Sequence, residues 1–159
     1  MKRVESYESI RDKQEINRLL FGIAFSLFTF IAALNPNLLK SSLFLPLQLT
    51  LAIPLLLSSI FARSRMIISS NKEKWEEYGF ITFLISYTFL VNVVGILLSL
   101  LIDTTLSMAF FGINILTSLV YSGMRVGERT STLSSRFKKD LTFIILIVLG
   151  GILPSLKFY

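Results

Sequence analysis

Apolar residues gather into five runs, Leu19–Leu34, Leu43–Ala62, Gly79–Ile102, Leu106–Met124 and Leu141–Leu156, separated by short polar stretches. A helix crosses the hydrocarbon of a bilayer with about 20 residues, within a range of about 17–25. The second, third and fourth runs meet this length. The first and fifth are 16 residues long and must borrow from their flanks, with Arg18 and the Lys138–Lys139 pair snorkelling to the headgroups. The pattern predicts an all-α, polytopic helical membrane bundle of about five transmembrane helices, and a four-span chain with one re-entrant end is the rival. Residues 1–18 form a polar N-terminal segment, and 19–159 a single transmembrane domain with basic loops at 63–78 and 125–140.

Three runs carry small or polar residues at steps of three, four or seven, which keep them on one helix face. The first has Gly22, Ser26, Thr29 and Ala33. The third has Thr88, Asn92, Gly95, Ser99 and Asp103, and the fourth has Ser107, Asn114, Ser118, Tyr121 and Arg125, with Thr117 beside Ser118. Such stripes let helix backbones approach and hydrogen-bond across helices; alternatively, one of them faces water in a pore. In the fourth run the polar side is densest toward Arg125, while Ile113, Leu116, Leu119 and Val120 form a face suited to lipid. Asn92 and Asn114 fall near mid-depth, where an amide requires a partner; a direct bond between them is expected, with a water-lined or intersubunit contact as the alternative.

Local signals set the boundaries. Pro36 in "NPN" disfavours helical geometry at Asn35 and ends the first helix. Ser41 and Ser42 offer N-caps to the second, Ser70 and Glu73 match a capping box for the third, and Asp140 offers a cap to the fifth. Helix three then begins before the membrane, which places Trp75 and Tyr78 at headgroup level as interface anchors. Pro46 and Pro54 invite kinks in the second run, and Gly150, Gly151 and Pro154 a bend or close packing in the fifth.

Charge orients the array. With five spans, the N-terminal segment and the loops 63–78 and 125–140 share one side and hold 14 of the 16 Lys and Arg, leaving Lys40 and Lys157 opposite. The positive-inside rule places the N-terminus in the cytoplasm and the C-terminus outside, in a cytoplasmic or inner membrane. This accounts for most of the net charge of +6, so no nucleic-acid partner is expected. Arg129, Arg136, Lys138 and Lys139 are positioned to contact anionic lipid headgroups. The mixed charges of the N-terminal segment do not resemble a signal peptide, and retention is expected.

Composition narrows the chemistry. The chain is 53% hydrophobic, with a mean hydropathy of +0.68 and neither Cys nor His. That removes thiolate and imidazole chemistry and the usual metal ligands, and no glycine-rich phosphate loop is present. An enzyme is not expected, nor a cofactor. The leading expectation is a small membrane protein acting by self-association, a homo-oligomeric channel or pore. The alternatives are an accessory or assembly subunit of a larger membrane complex and a membrane-embedded immunity or regulatory factor.

Overall fold

The computed structural model describes residues 7–127 and 133–156. Among them 94% are helical and none lies in a strand. The helices are α1 (Tyr7–Leu34), α2 (Pro36–Ser41), α3 (Phe44–Ile68), α4 (Lys72–Leu101), α5 (Thr104–Gly127), α6 (Leu133–Ile147) and α7 (Leu153–Leu156), with a π-helical turn at Val148–Ile152 joining α6 to α7. Among the described residues, five stretches are long and apolar enough to cross a membrane: Glu8–Ala33, Phe44–Ile68, Lys72–Leu101, Thr104–Met124 and Phe137–Leu156. The chain is a multi-pass integral membrane protein, an all-α helical bundle.

The two short runs reach spanning length because their helices continue into polar sequence. α1 starts 12 residues before Leu19 and has 28 residues. α6, the π turn and α7 continue one another, giving a 20-residue apolar stretch. Pro36 does break α1, then serves in the first turn of α2, where its missing N–H costs nothing.

Three expected caps differ. α3 starts at Phe44 with Leu43 before it and no side-chain cap. α4 starts at Lys72, and the Oδ1 of Asn71, rather than Ser70, accepts the Lys74 N–H at 3.5 Å. Asp140 lies inside α6 rather than at its start, because that helix begins at Leu133.

The chain forms two compact units, Met1–Tyr87 and Thr88–Tyr159, and the boundary falls within α4. In the first unit α1 and α3 run antiparallel, tied by hydrogen bonds from Gln14 to Ser64 and from Asn17 to Ser59. The buried face of α1 is Ile10, Asn17, Ala24 and Ile31, one residue every two turns. It meets the alternating three- and four-residue steps of Leu45, Leu49, Ala52, Leu56, Ser59, Arg63 and Met66 on α3, the spacing of helices packed at shallow angles. The conspicuous stripe Gly22, Ser26, Thr29 and Ala33 lies on the exposed side of α1. The second unit packs the later part of α4, α5, α6, the π turn and α7 around Phe111, Ile96, Val93 and Ile147, all fully buried. Large apolar side chains cover much of the outer surface, Ile113 at 64% and Leu116 at 63% exposure among them, as a lipid solvent allows.

Candidate functional site

The stripe on α4 is the buried face of the second unit. Thr88, Asn92 and Gly95 are fully enclosed and Ser99 nearly so, whereas Asp103 is exposed at the helix end. Gly95 and Gly151 exist because Phe111 from α5 occupies the space beside both. A Cβ at Gly151 would stand 2.6 Å from the ring of Phe111 and 2.6 Å from Asn92 Oδ1, and a Cβ at Gly95 would overlap the ring edge.

In the π turn the Leu153 N–H reaches back five residues to the Val148 carbonyl. Asn92 Nδ2 donates to the carbonyl of Leu146 at 3.0 Å, on the helical turn that leads into the π segment. Asn114 Nδ2 donates instead to Phe110 O on its own helix at 2.9 Å. The expected Asn92–Asn114 bond gives way to two separate carbonyl partners.

Toward the α4–α5 hairpin, hydroxyls form a polar clasp. Ser99 Oγ donates to Ser155 O at 3.2 Å and shares a hydrogen bond with Thr104 Oγ1 at 3.0 Å. Ser107 Oγ lies 2.8 Å from Gly95 O and 3.4 Å from Ser155 Oγ. Asp103 caps α5: its Oδ2 accepts the Thr105 N–H at 3.0 Å. Its carboxyl is held below the ordinary 3.8 first by the Thr105 side-chain hydrogen bond, assisted by backbone N–H groups at Thr105, Thr104 and Leu106 against a smaller opposing desolvation.

The polar face of α5 divides. Ser107 and Ser122 are buried, with Ser122 Oγ donating to Asp140 Oδ1 at 2.7 Å. Asn114 and Ser118 are half-buried, and Thr117 and Tyr121 are exposed, Tyr121 at 52%. Thr117 Oγ1 donates to Ile113 O, one turn back. The side chains of Arg125 and Arg136, and Arg129 entirely, lie outside the described residues. Lys138 is exposed and Lys139 half-buried at the start of the last span. Trp75 and Tyr78 meet edge-to-face with centroids 6.3 Å apart on the first turns of α4.

Sequence reasoning missed a second polar network, in the first unit. Asn17 Nδ2 donates to Ser59 Oγ at 2.7 Å, and Ser59 Oγ donates to Gly79 O at 2.8 Å, with Asn17 and Ser59 both buried. One turn along α3, Arg63 is only 4% exposed. Its Nη1 donates to Met66 Sδ at 3.6 Å, and the Glu76 carboxylate attracts it. Asn17 lies just ahead of the apolar run, and Arg63 at the edge of a charged loop. Neither position signals burial.

Compared with known proteins, the chain matches no family model, no curated protein and no solved structure.

Proposed function

We propose that this is a non-enzymatic membrane protein that works by self-association, several copies enclosing a polar path along α5. The observation that carries the reading is the exposure of Thr117 and Tyr121 beside half-buried Asn114 and Ser118, while the equivalent stripe on α4 is enclosed. A hydroxyl-bearing face is poorly matched to hydrocarbon, and Thr117 and Asn114 answer this by bonding carbonyls of their own helix. Contact with sister copies, or with water held between them, removes the remaining mismatch. Five helices leave little room for a water path inside one chain, so a path between copies fits better.

In this reading the N-terminal segment and the loops 63–78 and 125–140 face the cytoplasm, where Arg129, Arg136, Lys138 and Lys139 meet anionic headgroups. Arg125 stands at the inner mouth and favours anions. The test is reversal potential in reconstituted bilayers, read beside oligomer mass for the same protein. Arg125→Glu shifts selectivity toward cations, and Ser118→Trp blocks flux while the oligomer persists. A well-assembled protein without conductance across voltage refutes the channel. Stoichiometric co-purification with other membrane proteins assigns the accessory role instead.

A further inference from the structure

The turn between α3 and α4 is built tightly, and it leaves a gap. Ser69 ends α3 in an extended conformation with its N–H on the Arg65 carbonyl. Its Oγ accepts the Asn71 N–H at 3.1 Å, and Asn71 Oδ1 caps the first turn of α4. Between the last turn of one helix and the first of the next lies a half-open cavity of about 340 Å³, lined by Arg65, Ile68, Ser69, Ser70 and Trp75. This volume falls at the small end of the range for ligand sites, about 300–1,000 Å³. Both flanking helices are membrane spans that end here, Phe44–Ile68 and Lys72–Leu101, so the cavity opens at the level of the lipid headgroups.

Its walls supply donors. Arg65 is exposed and offers a planar fork that matches two oxygens of a phosphate. The Ser69 hydroxyl already accepts from Asn71, which leaves its own proton to donate. Ser70 adds a second hydroxyl and Trp75 an indole N–H. Ile68, 81% exposed, gives an apolar edge on the membrane side, where the stem of a lipid would lie. A site of donors with one fixed cation, apolar on one edge, selects a phosphate ester over a carboxamide or a sugar.

We propose that this cavity binds the phosphate group of an anionic phospholipid, with Arg65 as the charged ligand and Ser69 and Ser70 as hydrogen-bond donors. Binding here does not depend on the channel reading.

Trp75 is the only tryptophan in the chain and lines the cavity, so the emission comes from this one position, and the Arg65 variants separate the cavity from its surroundings. The full chain is placed in phosphatidylcholine nanodiscs with rising fractions of phosphatidylglycerol, and Trp75 emission is followed. The expected result is a saturable shift that Arg65→Gln weakens by roughly tenfold, as loss of a charge-assisted hydrogen bond implies, with Arg65→Lys intermediate. Arg18→Gln, which removes one exposed positive charge elsewhere, leaves the titration unchanged. Inorganic phosphate added to phosphatidylcholine nanodiscs separates the sources: a saturable response there overturns the lipid assignment in favour of free phosphate, and no response supports the lipid. Equal titrations for wild type and Arg65→Gln, or equal weakening by Arg18→Gln, overturn the proposal. Circular dichroism confirms that each variant keeps its helix content.

Discussion

The ring of Phe111 occupies the position that a side chain on Gly151 would need: a Cβ there would lie 2.6 Å from its Cε1 and Cζ atoms. One aromatic side chain of α5 thereby dictates glycine on the π turn and at Gly95 on α4. Gly151→Ala and Gly95→Ala are expected to destabilise by about 1–3 kcal/mol, the usual cost of overpacking a filled core. A Cβ at Gly112 or Gly123 would meet nothing within 4 Å, and alanine there is expected to stabilise by up to about 1 kcal/mol through helix propensity. Thermal unfolding in detergent compares the four variants.

Asn92 and Asn114 are expected to behave independently. Asn92→Leu removes the donor to the Leu146 carbonyl, and the loss should lie toward the upper end of membrane hydrogen bonds, which average about 0.6 kcal/mol and reach roughly 1.7. Within the monomer Asn114→Leu forfeits a bond to its own helix and should cost less. The double variant should equal the sum within about 0.5 kcal/mol. Coupling well above that, measured in a double-mutant cycle, would show that the two amides share a partner.

Ser59 joins two elements through one hydroxyl, accepting from Asn17 and donating to the Gly79 carbonyl. Ser59→Ala leaves the buried Asn17 amide without its acceptor and should cost about 1–3 kcal/mol. Ser26→Ala, on the exposed side of the same α1, should be near neutral. Equal effects would reverse the assignment of the two faces.

Asp103 predicts a pH dependence with a definite sign. Because its folded pKa is depressed below 3.8, the cap it gives α5 is fully present above that value. It is lost as pH falls through the lower folded value. The carboxyl titration followed by NMR should have its midpoint below 3.8, and Thr105→Val should raise it. A midpoint at or above the ordinary value would contradict the cap.

The spans are legible in the sequence because a bilayer demands long apolar runs, and five runs stand out. Their true lengths are less so: α1 and α6 continue through polar residues whose helical state leaves no hydropathy signal. The stripe of Thr88, Asn92, Gly95 and Ser99 announces itself because small and polar residues are rare at membrane depth without a packing reason. Its chief partner does not. Phe111 is one of 14 phenylalanines, and nothing local separates a core ring from a lipid-facing one. On α1 the conspicuous Gly22 and Ser26 lie on the exposed side, while Asn17, which is buried, looks like part of the polar segment. The π turn leaves only the Gly150–Gly151 pair as a trace, and pairs of glycines also mark simple bends.

Self-association through α5 is tested most directly by single-cysteine cross-linking in proteoliposomes, since the natural chain has no Cys. Cysteines are placed one at a time along α5 and oxidised. Disulfide-linked dimers are expected at Asn114, Thr117 and Tyr121, with none at buried Phe111 and little at Ile113, Leu116 and Val120 on the lipid side. Monomer at every position, or cross-linking that follows Ile113, Leu116 and Val120 instead, would contradict it.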